Sequence, residues 1–196
     1  MPKLFAVMLG GRAENFFIEQ HDVVFVVGNS LEETYPHLIN KWHGSPRKLH
    51  IDSSAELKCV DGYEIQLSTS KPENISNKNL FFINFGGYKQ DFFGELHDVG
   101  FYVAESKADA VLKAKFNLCV GTHEQHCDDH KALDELSHIE NDFIDDVLTI
   151  HQISQYYVQL IPTKKPNEII IDSYYRKLDL PPIMERANAL KNAITA

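Results

Sequence analysis

A repeat of the chain within itself is the feature that most limits how it can fold. Residues 4–31 and 80–107 are identical at 13 of 28 positions when aligned at a constant offset of 76, without a gap. Such self-similarity indicates that one structural unit occurs twice. The shared pairs include Gly10-Gly11 with Gly86-Gly87, Phe16-Phe17 with Phe92-Phe93, and His21-Asp22 with His97-Asp98. The 196 residues are therefore interpreted as one duplicated body.

The offset changes towards the end of the second copy. Residues 63–67 (YEIQL) match residues 156–160 (YYVQL) at an offset of 93, so the second copy holds 17 extra residues. His50 and Asp52 align with His126 and Asp128 at the first offset, which places the insertion after about residue 129. The predicted organisation is a first unit at 1–67, a linker at 68–79, a second unit at 80–161 with an acidic insert near 130–146, and a C-terminal extension at 162–196.

Charge and composition exclude several classes of function. The formal net charge is −9, so the chain repels a phosphate backbone and is not expected to bind nucleic acid. Residues 122–146 hold nine of the acids and one lysine, and an apolar stripe through the insert predicts a helix that could dock a basic protein partner. Three cysteines without framework spacing indicate a reducing compartment. With no apolar run of signal or membrane length, a cytoplasmic protein without membrane contact is expected.

Two elements at the start of each unit are predicted as strands. Residues 4–9 and 80–85 are apolar at nearly every position, as in a strand covered on both faces. Each ends in a Gly-Gly pair, which is expected to adopt positive φ as the chain leaves the strand. In the next strand, positions 21, 23, 25 and 27 recur in the second copy, whereas positions 24 and 26 change. The shared face is predicted to be core, and the other to meet something that differs between copies.

A helix is predicted to follow in each unit. Ser30 with Glu33, and Ser106 with Asp109, have the spacing of a capping box. Pro36 lies inside the first helical stripe, where a kink or a separate first turn is expected. The second copy lacks this proline, so its helix is expected to be straighter.

A hairpin is predicted to close each unit. Asp61-Gly62 is a strong hairpin signal, and the second copy has Ser154-Gln155 instead, so its turn is expected to differ. The fold class is therefore predicted to be α+β, with two strand-strand-helix-strand-strand units packed about a pseudo-twofold axis. The extension is expected to add a strand at 168–172 and a helix after Pro181-Pro182, and to cover a sheet edge or reach a second chain.

The first half carries a family resemblance. The strings LFAVMLGGR, EQHDVVFVVG, SLEETYP, LHIDS and VDGYEIQL resemble the bacterial domain-of-unknown-function family 1543, whose members contain one or two copies of the unit. The match extends through the second copy to about Ser106 and is looser beyond it. The resemblance implies a fold unit and a bacterial cytosolic setting, and it assigns no catalytic residue.

One group of residues has the character of a metal site. His50 and Asp52 are two apart on a predicted strand and so share a face, where both could chelate one ion. The aligned region of the second copy adds a dense cluster of ligand types. These candidates are His50, Asp52, His123, His126, Asp128 and His130. Their donors suit a divalent transition metal, and a solvated polar loop is the alternative reading.

Two further candidates come from the repeated motifs. Glu19, His21 and Asp22 recur as Glu95, His97 and Asp98, a pattern that suits acid–base or metal chemistry. Fold maintenance explains the recurrence at least as well and is the favoured interpretation. Gly10, Gly11 and Arg12 form a weak candidate anion site, since glycine turns can present backbone N–H groups.

These observations favour a non-enzymatic binding or protein-interaction module, expected to be homodimeric and to use the variable strand face and the acidic insert. The alternative is a divalent-metal-binding protein or metal-dependent enzyme. The sequence does not decide whether the chain is an enzyme.

Overall fold

The computed structural model describes residues 1–72, 77–122, 144–150 and 152–195, which form ten strands and three helices. The first unit contains β1 (Lys3–Gly11), β2 (Gln20–Gly28), α1 (Leu31–Lys41), β3 (His50–Val60) and β4 (Tyr63–Ser68). The second contains β5 (Asn79–Gly87), β6 (Leu96–Ala104), α2 (Lys107–Lys115), β7 (Ile144–Ile150), β8 (Gln152–Ile153) and β9 (Tyr156–Pro162). The extension adds β10 (Glu168–Lys177) and α3 (Pro181–Thr195). The predicted α+β class and duplicated unit are confirmed.

The strands form two sheets. The larger has the order β2-β1-β3-β4-β9-β8, with β10 also paired to β3, and the smaller has the order β6-β5-β7. All the pairings are antiparallel. The last strand of each unit thus belongs to the same sheet, and β4 pairs with β9.

The β4–β9 pairing locates the pseudo-twofold axis. Gln66 is the partner of Gln159, and these two residues are equivalent at the offset of 93. On either side, the register crosses over, so that Ile65 faces Leu160 and Leu67 faces Val158. A strand that pairs with its own repeat in this way requires a local twofold relation at the central pair.

The core between the two units is built by the shared face of the second strand. Phe25 of β2 packs edge-on against Phe82 of β5 at a ring-centroid distance of 5.5 Å and against Phe101 of β6 at 6.4 Å. The prediction that this face is core is confirmed, because Phe25 and its repeat counterpart Phe101 meet across the two sheets.

The opposite face of the second strand packs on the helix of its own unit. Val24 and Val26 are buried with α1, and Tyr102 is buried with α2. In both copies this face therefore meets the equivalent helix, and α1 and α2 differ in sequence. Because the face is covered, however, the hypothesis that it serves as a binding surface is wrong.

The Gly-Gly pair of β1 has a different role from the one predicted. Gly10 and Gly11 lie within β1, and neither has positive φ. A Cβ atom on Gly10 would lie 2.6 Å from both Asp52 Oδ2 and His50 Nε2, and one on Gly11 would lie 2.9 Å from the Trp42 ring. The glycines are needed for the close approach of side chains to the strand, not for a turn.

The helix caps differ between the copies. Ser106 Oγ accepts a hydrogen bond from the Asp109 backbone N–H at 3.1 Å, as the capping box predicts. Ser30 makes no such side-chain bond, and Glu33 instead accepts from the backbone N–H of Asn29 at 3.0 Å. α1 continues through the buried Pro36, so the alternative of a separate first turn is wrong and the kink stays a prediction.

The hairpin turns differ as predicted. Asp61 and Gly62 both have positive φ, 51° and 79°, which is the signature of a type I′ turn. In the β8–β9 turn, only Ser154 of the Ser154-Gln155 pair has positive φ.

The register of β7 corrects the alignment of the second copy. β5 pairs with β7 so that Leu80 faces Ile150, whereas the equivalent Leu4 faces Leu57. This equates Leu57 with Ile150, an offset of 93, and the insertion therefore precedes Ile144. The predicted helical stripe is wrong from Ile144 onward, where the chain is strand β7.

Both units have a bulge at the same place, and it shows which residue of the second copy is equivalent to Asp52. The β1–β3 register shifts between Met8 and Leu9, and the β5–β7 register shifts at the equivalent residues Asn84 and Phe85. The residue skipped by the first shift is Asp52, and the one skipped by the second is Asp145. Asp145, and not Asp128, is therefore the structural counterpart of Asp52. His126 and Asp128 themselves lie outside the described residues.

The C-terminal extension covers the edge of β3, which confirms that expectation. β10 continues to Lys177, five residues beyond the predicted end, and Ala187 of α3 is fully buried against the α1 side of the core. Arg176 of β10 donates hydrogen bonds to Glu32 and to the Tyr35 hydroxyl of α1. Burial raises the pKa of Tyr35, which keeps this hydroxyl neutral beside the guanidinium.

In the described ranges, no helix is long and apolar enough to cross a bilayer.

Candidate ligand-binding cleft

The two Glu-x-His-Asp motifs open onto the same cleft. Each lies at the start of the second strand of its unit, directly after the loop from the preceding Gly-Gly strand. The register is the same in both copies: His21 faces Gly10 and His97 faces Gly86. The two hairpins pack face to face about the pseudo-twofold axis, and the space between them at this end measures about 1080 Å³.

The charged lining of this inter-repeat cleft is acidic. Its titratable residues are Glu19, His21, Asp22, Asp52, Glu95, His97 and Asp98. Among the described residues that line the cleft there is no lysine or arginine. The apolar part of the lining consists mainly of Met8, Val23, Phe25, Phe82 and Val99. The cleft therefore combines an apolar body with five carboxylates, an arrangement that attracts a cation with an apolar part.

The lining follows the repeat closely. Five pairs of lining residues are equivalent at the offset of 76, among them Glu19 with Glu95 and His21 with His97. The remaining three pairs are Asp22 with Asp98, Val23 with Val99, and Met8 with Asn84. Both motifs thus present the same chemistry to one space, a convergence that the linear sequence does not reveal.

Beside the cleft, a buried histidine points at two of its carboxylates. The side chain of His50 is only 4% exposed, and its ring stacks on Tyr175 with a centroid distance of 4.3 Å. Nδ1 lies 2.8 Å from the Lys48 carbonyl oxygen, so this nitrogen carries the proton that is donated. Nε2 lies 3.3 Å from Glu19 Oε1 and 3.3 Å from Asp52 Oδ1. A negatively charged pair therefore surrounds the outer ring nitrogen.

Asp52 joins His50 to the first motif. Its Oδ2 lies 3.3 Å from His21 Nε2, yet this oxygen is buried and accepts no hydrogen bond from the described residues. A buried carboxylate oxygen without a donor carries a desolvation cost of about 1–3 kcal/mol or more. The bulge at this point in β3 turns Asp52 towards the cleft while its neighbours remain in the β1 ladder.

The second half of the cleft is built somewhat differently. His97 Nε2 lies 3.6 Å from Glu95 Oε2 within the same motif. Asp98 Oδ2 accepts a hydrogen bond from the backbone N–H of Cys119 at 3.1 Å, which ties β6 to the segment after α2. Asp98 thus has a structural role as well as a place in the lining.

The candidate metal residues are only partly brought together. His50 and Asp52 do share a face and lie in contact, as predicted. In residues 1–72, 77–122, 144–150 and 152–195, however, no group of three or more His, Cys, Asp or Glu side chains is arranged so that it could hold a metal ion. His123, His126, Asp128 and His130 lie outside the described residues, as does most of the acidic insert.

Gly10, Gly11 and Arg12 do not form a glycine-turn anion cradle. The two glycines are strand residues, and Arg12 Nη1 donates to the Phe17 carbonyl oxygen at 2.9 Å. Arg12 therefore holds the β1–β2 loop, with its side chain directed at the loop itself.

The sequence reasoning gave no role to the repeated phenylalanine pairs. Phe17 and Phe93 are fully exposed, at 100% and 106% of a reference residue, and Phe16 and Phe92 are about half exposed. Both pairs lie in the loops that lead into the cleft-lining motifs, and Ile18, next to Phe17, lines the cleft. The sequence did carry a signal for them, because the two phenylalanine pairs are identical in the two copies and lie outside any predicted core.

The duplicated units form a two-sheet α+β body with a cleft between them. A family model described as Domain of Unknown Function (DUF1543) matches residues 16–67 and 93–143, one region in each copy. The chain therefore belongs to the DUF1543 family, in two tandem copies. It is also similar to the solved structure of a protein Il1583 from Idiomarina loihiensis, with 30% identity, a TM-score of 0.64, and coverage of 91% of this chain and 98% of that one. No curated protein matches.

Proposed function

We propose that this chain is a non-enzymatic binding protein whose ligand is a small organic cation held in the inter-repeat cleft. The observation that carries the proposal is the convergence of two motifs, 76 residues apart in sequence, on one acidic cleft of about 1080 Å³. Clefts of this size accommodate a small molecule, and their polar groups determine its orientation.

Electrostatics selects the class of ligand. Five carboxylates without a compensating lysine or arginine in the lining repel anions and attract cations. The apolar floor, which includes Phe25 and Phe82, favours an organic cation over a fully hydrated inorganic one. The buried Oδ2 of Asp52 is the acceptor that most needs a donor, and an ammonium N–H supplies one.

A ligand screen tests the proposal on the full chain. Thermal shift and calorimetric titration compare primary amines with carboxylates and phosphates of the same size. We expect the amines to raise the melting temperature and the anions to leave it unchanged. Because this attraction is electrostatic, the affinity for amines should fall as salt is raised.

Asp52→Asn is expected to weaken amine binding roughly tenfold, because it replaces one charge-assisted hydrogen bond by a neutral one. Glu105→Gln is the matched control, since Glu105 is exposed and pairs with Lys78 outside the cleft lining. Equal losses in the two variants would contradict a site in the cleft.

The metal-binding alternative predicts a different result in the same screen. A divalent transition metal would then raise the melting temperature, EDTA would reverse the rise, and amines would have no effect. That outcome would overturn the organic-cation proposal in favour of a site built on His50 and Asp52.

A further inference from the structure

We infer that the ligand of the cleft is two-headed: a linear molecule with a cationic group at each end, such as an α,ω-diamine or a longer polyamine. This inference rests on the proposed function and specifies the class of its ligand. It follows from the symmetry of the site rather than from its charge.

The two Glu-x-His-Asp motifs make the two halves of the cleft similar in their lining. Five pairs of equivalent residues line it, and each half contributes one Glu-x-His-Asp motif in the same strand register. A pseudo-twofold axis relates the units through the Gln66–Gln159 pair. Each unit therefore supplies one acidic pole of the cleft, and the pole of the first unit also contains Asp52.

In the pole of the first unit, one buried carboxylate oxygen lacks a hydrogen-bond donor among the described residues. In the first half, Nε2 of the buried His50 faces Glu19 and Asp52 at 3.3 Å, and Oδ2 of Asp52 accepts no hydrogen bond from the described residues. His21, 3.3 Å from this oxygen, is about half exposed at the mouth of the cleft. This group of side chains has more acceptors than donors, which a cationic N–H group would correct.

The cleft also has an apolar lining. The floor is formed by side chains of the inter-repeat core, chiefly Phe25 and Phe82. An apolar floor between two acidic poles complements an alkyl chain between two ammonium groups. Once one end is bound, the other binds at a high effective concentration, so a molecule with two cationic ends binds more tightly than one with a single cationic end.

The test is a calorimetric titration of the full chain with α,ω-diamines of increasing length and with n-alkylamines of matched length. Diamines are expected to bind one per chain, at least tenfold more tightly than the matched monoamine at an optimal length. Monoamines are expected to bind two per chain. A divalent metal salt is titrated in parallel, because its ion carries two positive charges on a single centre and has no alkyl chain.

Two variants in equivalent positions sharpen the result. Glu19→Gln and Glu95→Gln each remove one carboxylate from one pole, and each is expected to lower diamine affinity several-fold. Each should also reduce the number of bound monoamines from two towards one. Circular dichroism and melting temperature verify that both variants fold.

The possible failures are distinguishable. Monoamines that bind one per chain as tightly as every diamine would overturn the two-headed ligand and leave the acidic cleft as a single cation site. The absence of any amine binding would overturn the proposed function as well. Loss of diamine binding in Glu19→Gln but not in Glu95→Gln would also contradict the inference, because it would restrict the site to one half.

Discussion

Gly10→Ala is expected to lower the free energy of unfolding by about 3 kcal/mol, the upper end of the range for overpacking a well-packed site. The added Cβ would lie 2.6 Å from both Asp52 Oδ2 and His50 Nε2, a separation that atoms in contact do not tolerate. His50 cannot move away easily, because its Nδ1 is bonded to the Lys48 carbonyl and its ring lies against Tyr175. Urea denaturation measures the effect.

A thermodynamic cycle separates this clash from a general cost of alanine in β1. One arm is Gly10→Ala, and the other is the combined change His50→Ala and Asp52→Ala, which removes both atoms that the new Cβ would meet. In that background, Gly10→Ala should cost less than about 1 kcal/mol, because sites that share a contact are not additive. An undiminished cost in the triple variant would show that the strand itself, and not the packing of His50 and Asp52, requires glycine.

Asp61→Ala is expected to lower the free energy of unfolding by about 2–3 kcal/mol, because Asp61 of the first unit accepts hydrogen bonds from the second unit. Its Oδ2 accepts the Val103 backbone N–H at 3.0 Å and the Lys113 ammonium at 2.9 Å. Alanine would leave the backbone N–H without its acceptor and would place a residue less tolerant of positive φ in the turn, where φ is 51°. The ion pair with Lys113 adds little, since that lysine is about half exposed.

Asp61→Asn is the matched control for this prediction. Asparagine tolerates the same turn conformation and keeps a side-chain oxygen to accept the Val103 N–H. We expect it to cost about 1 kcal/mol or less, with most of the loss disappearing at high salt. If Asn and Ala were equally destabilising, the charge on Asp61 would be the main contribution and the backbone contact would be minor.

Local patterns predicted the elements that depend on local chemistry. The Asp61-Gly62 hairpin, the Ser106 cap and the duplicated first strands all follow from residues within a few positions of each other. The Gly-Gly pairs illustrate the limit of such reasoning. Gly10 is required by His50 and Asp52, forty positions away, and only the β1–β3 register brings these residues beside it.

The second copy shows why an alignment alone gave Asp52 the wrong counterpart. His126 and Asp128 match His50 and Asp52 at the offset that holds for the preceding residues. The apolar residues of 144–150 are spaced so that they fit a helical stripe as well as a strand, and short apolar runs do not distinguish these alternatives. The pairing of β7 with β5 decides the matter, because it equates Ile144 with Ile51.

The convergence of the two repeated motifs could not be predicted from the sequence, for a different reason. Strand periodicity correctly assigned Phe25 and its equivalents to a core, but it does not say which sheet lies opposite. Once Phe25 meets Phe82 and Phe101 across the axis, the motifs at the same end of β2 and β6 must face one another.

The β4–β9 pairing has a consequence for how such a body can originate. Two separate, identical chains would make the same junction by placing residue 66 of one opposite residue 66 of the other, so the tandem chain has the geometry of a fused homodimer. Fusion makes closure of the sheet independent of protein concentration. It also frees each half to change alone, which a symmetric assembly forbids. The 17 residues inserted in only one half are a change of this kind.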